Sequence, residues 1–152
     1  MIKFLDYYIT FQEVPNETAL VFTITNCQNN CKGCHSPWLR DDAGENLETA
    51  MPAIIDKYID DITCVCFMGE GNDPISLNRC ILSAKSKGLK TCLYTGAEYV
   101  SRMYELDYLK VGPYNEVLGG LDSPATNQRM LKWNERDRKY ENITSWFWRK
   151  KV

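Results

Sequence analysis

Residues 63–75 read Thr63-Cys64-Val65-Cys66-Phe67-Met68-Gly69-Glu70-Gly71-Asn72-Asp73-Pro74-Ile75. The first six form a short apolar run of strand length, and Gly69-Glu70-Gly71-Asn72 breaks it. Asp73-Pro74 then pairs an N-cap with a first helical residue, and Gly88 is the stop signal thirteen residues past Ile75. Residues 90–94 (KTCLY) form the next strand, ended by Thr95-Gly96. Strand, helix and strand in this order predict a right-handed parallel crossover.

The same grammar extends in both directions. Residues 18–25 (TALVFTIT) are a further strand candidate, and residues 2–13 carry a looser strand-like pattern. Leu47, Met51, Ile54, Ile55, Tyr58 and Ile59 recur at helical spacing, with Thr49 as the N-cap that puts Pro52 in the first turn. Downstream the pattern predicts a short helix around 98–105, a strand near 108–111, the turn Gly112-Pro113 and an irregular stretch over 119–127. The tail 128–152 reads as a hairpin of 129–133 and 139–144 with an aromatic and basic end. A chain of 152 residues predicts one domain, 1–152. A full eight-unit barrel needs at least about 200 residues. The expectation is therefore an α/β fold, a partial (β/α) barrel or curved parallel sheet.

Hydrophobic residues at 44% and charged residues at 25% match an ordinary soluble globular protein. A net charge of −2 argues against nucleic acid as the main partner. There is no apolar run of membrane-spanning length, and the first six residues lack the apolar centre of a signal peptide. These readings predict a cytoplasmic protein with no membrane partner. Seven cysteines accompany a single histidine, so a multi-ligand metal site must lean on sulfur, which favours zinc or iron–sulfur clusters.

Three of those cysteines fall in Asn26-Cys27-Gln28-Asn29-Asn30-Cys31-Lys32-Gly33-Cys34-His35, spaced C-x3-C-x2-C directly after a predicted strand. Three thiolates on a four-iron cluster leave one iron open to a small molecule. The cysteine loop, Gly69-Glu70-Gly71 and Tyr94-Thr95-Gly96 each follow a predicted strand. In parallel β/α architectures such loops share one face, at the carboxyl ends of the strands. Gly69 and Gly71 let backbone groups approach a ligand closely. Glu70 offers an anionic partner for an ammonium group, Thr95 a hydroxyl and Tyr94 a flat apolar face. A ligand with an amine, a carboxylate and a heteroaromatic ring would satisfy these groups.

Blander readings stand beside these. Cys27, Cys31 and Cys34 could bind a structural zinc completed by His35, although zinc sites usually show paired C-x2-C halves. Cys31 and Cys34 alone could be a redox pair. Cys64, Cys66, Cys80 and Cys92 read as core residues. Trp146-Phe147-Trp148 is expected to cover a sheet edge, with Arg149-Lys150-Lys151 solvated.

The C-x3-C-x2-C run, followed by a Gly/Glu segment after the next strand, resembles the radical S-adenosylmethionine superfamily. Within it, the chain looks like the small proteins that activate anaerobic ribonucleoside-triphosphate reductase. The residues that carry the likeness are Cys27, Cys31, Lys32-Gly33-Cys34-His35, Met68-Gly69-Glu70-Gly71, Asp73-Pro74, Tyr94-Thr95-Gly96 and Asn127-Gln128-Arg129, over roughly residues 5–130. The resemblance implies that Cys27, Cys31 and Cys34 hold a [4Fe–4S] cluster whose fourth iron is chelated by S-adenosylmethionine. It implies that Gly69, Glu70 and Gly71 line the methionine end and that Gly33, Cys34 and His35 pass near the nucleoside, with Tyr94, Thr95 and Gly96 completing the cofactor site. One-electron cleavage would then give a 5′-deoxyadenosyl radical that takes a hydrogen atom from a glycine of the reductase. A low-potential donor such as flavodoxin or ferredoxin is implied as well.

Two features depart from the superfamily pattern. Gly33 stands where an aromatic residue often precedes the third cysteine, as in the activases. The Gly-Gly-Glu motif appears as Gly69-Glu70-Gly71-Asn72, which leaves open whether Glu70 or only the backbone meets the amine. Two alternatives remain: a small-molecule radical enzyme of the deazaguanine-forming type, and a non-catalytic zinc or iron–sulfur module. A partial barrel cannot enclose its active site, which favours a protein substrate over a metabolite.

Overall fold

The computed structural model describes residues 1–26, 37–98, 100 and 104–148. Cys27, Cys31, Gly33, Cys34 and His35 lie outside these residues, as do 149–152. The strands are β1 (Lys3–Thr10), β2 (Ala19–Ile24), β3 (Glu45–Asn46), β4 (Cys64–Met68), β5 (Lys90–Tyr94), β6 (Tyr108–Val111), β7 (Arg129–Asn134) and β8 (Lys139–Asn142). The helices are α1 (Leu47–Tyr58) and α2 (Pro74–Ser86). Short 3-10 turns cover Pro37–Arg40 and Thr144–Trp148.

All eight strands join one sheet in the order β3-β1-β2-β4-β5-β6-β7-β8. Only its centre is parallel: β2, β4, β5 and β6 run the same way. The flanking pairs β1–β2, β1–β3, β6–β7 and β7–β8 are antiparallel. The sheet is therefore mixed, which corrects the expectation of a parallel one. Parallel neighbours need a crossover long enough to return the chain, whereas the eight residues between β1 and β2 and the four between β7 and β8 make only reversals.

Both faces of the central strands β2, β4, β5 and β6 are buried, for different reasons. Leu20, Phe22, Ile24, Val65, Phe67, Leu93, Leu109 and Val111 point to the side covered by α1 and α2. There they meet Leu47, Met51 and Ile55 of α1 and Leu77, Cys80, Ile81 and Ala84 of α2, residues spaced to share one helical stripe. The alternate positions Ala19, Val21, Cys64, Cys66, Cys92 and Tyr108 face the other side. No α-helix covers that side among the described residues; Val14, Ile143, Trp146 and Phe147 pack there, beside Met130 of β7. The tail aromatics thus cover a sheet face rather than the expected edge.

Helix α2 starts as the sequence predicts. Asp73 accepts the Ser76 N–H at 3.1 Å and the Ser76 hydroxyl at 2.7 Å, with Pro74 at the first helical position. The Met1 ammonium also donates to Asp73, at 2.7 Å. These donors hold the Asp73 carboxyl well below the usual carboxylate range, the ammonium first among them. A group depressed in this way stabilises the fold above its ordinary pKa and loses that contribution as pH falls through the lowered one. Asp73→Ala is expected to lower the melting temperature by a few degrees at pH 7, and by less near pH 2, as calorimetry would show.

Helix α1 starts earlier than predicted. Its N-cap is Asn46, not Thr49, so Pro52 sits in the second turn and not the first. The start is set from outside the helix. Glu45 and Asn46 pair with Phe4 and Lys3, and the Leu47 N–H donates to the Ile2 carbonyl at 2.9 Å. Burial of Leu47 then draws the first residue into the core. The short helix expected around 98–105 is not seen at the described positions 98, 100, 104 and 105; the others lie outside the described residues.

Candidate functional site

The carboxyl ends of β2, β4, β5 and β6 converge, because parallel strands end on the same side of a sheet. The root of the cysteine segment is at that end. Beyond Ile24, the Thr25 hydroxyl donates to the Ala43 carbonyl at 2.6 Å, and the Asn26 N–H donates to the Asp41 carbonyl at 3.1 Å. Asn26 adopts φ 60°, and its side-chain amide donates to Asp42 Oδ1 at 3.1 Å. The chain therefore leaves β2 and returns to the same place, with the three candidate thiolates between. Cys27, Cys31, Gly33, Cys34 and His35 lie outside the described residues.

The turn after β4 abuts this root. Gly71 adopts φ +66°, and a Cβ there would lie 3.1 Å from Ile24 Cγ2 and 3.4 Å from the Thr25 carbonyl oxygen. Gly69 adopts φ +112° and donates its N–H to the Tyr94 carbonyl at 2.9 Å. Left-handed backbone and close approach to β2 together explain both glycines. Thr95 in turn donates its N–H to the Lys110 carbonyl at 2.9 Å. The turns after β2, β4 and β5 thus touch in sequence, as their positions in the chain predict.

Side chains of the predicted set do not all meet. Tyr94 lies on the helix-free side with Met68. Its hydroxyl donates to the Glu13 carbonyl, and burial raises its pKa well above the ordinary value. Thr95, the first residue beyond β5, is buried. Its hydroxyl donates to Glu70 Oε2 at 2.6 Å. Glu70 and Thr95 are therefore brought together, whereas the Tyr94 hydroxyl goes to Glu13. Gly96 follows in the same turn, half-buried.

Two further residues belong to this end, and the sequence reading did not select them as site residues. Lys110 is buried on β6; its ammonium donates to the Thr95 carbonyl at 3.2 Å and the Gly112 carbonyl at 2.9 Å, 6.0 Å from the centre of the Tyr94 ring. A lysine inside the apolar run Tyr108-Leu109-Lys110-Val111 was the available signal. Asn127 donates its side-chain amide to the Pro113 carbonyl at 3.1 Å, while its buried Oδ1 has no hydrogen-bond partner. Beside it, the Gln128 amide donates to the Gly112 carbonyl at 3.4 Å. A buried acceptor without a donor is costly unless something supplies one.

The four described cysteines are unsuited to hold a metal. Cys64, Cys66, Cys80 and Cys92 are all buried. Burial pushes the Cys80 thiol up to about 12 and raises Cys64 and Cys92 as well, which favours the protonated thiol over the thiolate a metal needs. Among the described residues, no group of three or more His, Cys, Asp or Glu side chains is placed to hold a metal ion. Cys27, Cys31 and Cys34, outside the described residues, are the remaining sulfur candidates.

Fold and geometry define an α/β protein with an open mixed sheet and a cluster of turns at the carboxyl end of its parallel strands. No protein-family model, curated protein or solved structure matches this chain. Among the described residues, no helix is long and apolar enough to cross a membrane.

Proposed function

We propose that the chain is an S-adenosylmethionine-dependent activase that installs a glycyl radical in an anaerobic ribonucleotide reductase, using a [4Fe–4S] cluster held by Cys27, Cys31 and Cys34. The observation that carries the reading is the contact of the 69–71 turn with Thr25, next to the root of the cysteine segment. The reading needs the root of the C-x3-C-x2-C segment and the turn after β4 to be neighbours, and the parallel pairing of β2 with β4 makes them so.

The described residues also fit the cofactor. The turn after β4 offers backbone groups unshielded by side chains at two glycines, Tyr94 and Met68 supply apolar surface, and Asn127 Oδ1 is a buried acceptor awaiting a donor. When bound, a reduced cluster supplies the electron that cleaves the sulfonium bond. The chain's own part is to orient the ligand and keep the carboxyl end reachable. The sheet supports this by staying open, with β3 and β8 as separate edges, which leaves a lateral way in for a loop of a protein substrate. The reading also calls for a low-potential electron donor of the flavodoxin or ferredoxin kind.

The test is chemical analysis of protein purified without air, followed by product assay. About four irons and four sulfides per chain are expected. Release of 5′-deoxyadenosine should depend on added reductase. Release without any protein substrate, in the presence of a metabolite instead, would favour the small-molecule alternative. A lone zinc would leave only the non-catalytic module.

A further inference from the structure

The chain spends more residues between β6 and β7 than their connection needs. The two strands are antiparallel neighbours, and Val111 pairs directly with Arg129. A reversal between such strands takes about two to five residues. Here it takes seventeen, 112–128. Loops of that length in a compact domain are functional or disordered, and this one is held by its own hydrogen bonds.

The loop springs from the candidate site. The Gly112 N–H donates to the Ala97 carbonyl at 2.7 Å, in the turn after β5. Its ends meet where the Asn127 amide donates to the Pro113 carbonyl at 3.1 Å. Leu121 packs against the same apolar cluster as Met68 and Tyr94, and its carbonyl accepts the Trp148 indole N–H at 2.8 Å. The outer turn is closed by Asn115. Its carbonyl accepts the Leu118 and Gly119 N–H groups at 3.1 and 2.8 Å, and its Oδ1 accepts the Val117 N–H at 2.9 Å. The Thr126 hydroxyl donates to the Gly119 carbonyl at 3.0 Å. A lone exposed valine needs no explanation. Val117, however, stands 85% exposed on this closed turn, next to the exposed Glu116. Glu116 and Asp122 are the only charged residues of the loop.

We propose that the 112–128 loop is the surface on which the chain docks its protein substrate, with Val117 entering an apolar pocket of the partner and Glu116 facing a basic rim. This rests on the activase reading and supplies the docking surface that reading requires. A partner seated on the loop has its reacting segment beside the carboxyl ends of the parallel strands. The exposed tip faces outward, so it is not a cover for the chain's own turns. Its hydrogen bonds exist before the partner arrives, which lowers the ordering cost of docking. Two acids and no base select a positively charged surface.

The test measures two affinities of the full chain with its cluster reconstituted, one for the reductase and one for S-adenosylmethionine. Val117→Ser is expected to weaken reductase binding roughly tenfold, the worth of one buried valine. Glu116→Lys should weaken it by a similar factor at low salt and by less as salt rises. Iron content and S-adenosylmethionine affinity should stay within about twofold in both. Asp61→Lys reverses an exposed acid ahead of β4, at the opposite end of the sheet, and should change neither affinity. Equal reductase binding by every variant overturns the docking surface and leaves the activase reading standing. A loss of S-adenosylmethionine affinity in Val117→Ser, with reductase binding kept, would make the loop a lid and overturns it as well. If the unsubstituted chain binds no reductase, the activase reading and the docking surface fall together.

Discussion

Cys31→Ala is expected to reduce the iron content of protein purified without air to background, and with it the release of 5′-deoxyadenosine. The size of the effect follows from ligand number. A cubane already held by only three protein thiolates has none to lose, so removing the middle one leaves two irons without protein sulfur. Cys80→Ala is the matched control. Cys80 is buried in α2 with its thiol pushed up to about 12, so it should leave iron and sulfide unchanged. Iron lost equally in both variants would point to general instability, and cleavage that survives Cys31→Ala would contradict the ligand assignment.

The largest effect on stability is expected at Phe22. Its side chain is fully buried on the helix side of β2. The ring meets Phe4 edge-on at 5.5 Å and Phe67 in a stacked arrangement at 6.4 Å, with Tyr7 at 6.1 Å. Phe22→Ala removes the ring that joins β1, β2 and β4, and close-packed neighbours collapse only partly into the space. A loss of about 3–5 kcal/mol is expected, a large share of the roughly 5–15 kcal/mol that holds a typical domain together. Urea unfolding followed by circular dichroism measures it. A loss under about 1 kcal/mol would mean that the aromatic cluster is not the keystone of the sheet. Because β2 leads directly to the cysteine segment, the same variant should also take up iron poorly on reconstitution.

Much of the parallel centre was legible from local pattern. The strands at 90–94 and 108–111 and the helix start at Asp73-Pro74 agree with the sequence because each rests on local chemistry: an apolar run, a cap, a glycine stop. So does the tail hairpin, with strands at Arg129–Asn134 and Lys139–Asn142. The start of α1 was misplaced because Thr49 is as good a cap by type as Asn46. What chose between them was pairing of Glu45 and Asn46 with β1, forty residues away. A local reading has no access to that contact. The antiparallel pairing of β1 with β2 and β3, and of β6 with β7, was missed for a related reason: an apolar strand says that it will pair, but not in which direction.

At the candidate site, one residue's neighbours show the same division. The sequence placed Glu70 and Thr95 in turns that should share an end of the sheet, and they do. It offered both as ligand contacts because each has a polar side chain. Side-chain direction depends on the register of β5, in which Leu93 faces the helices and Tyr94 does not. Lys110 and Asn127 joined the site through contacts with Thr95 and Pro113 that span 15 and 14 residues.

By itself, the sequence determined the alternation of strands and helices, the cap of α2, and which turns follow which strands, since these depend on residues within a few positions of one another. Tertiary structure alone decided the directions of β1, β3 and β7 against their neighbours, the true start of α1, the meeting of Thr25 and Asn26 with Ala43 and Asp41, and the pairing of Thr95 with Glu70. Each of those rests on hydrogen bonds or packing between residues distant in the chain, whose energies no local pattern encodes.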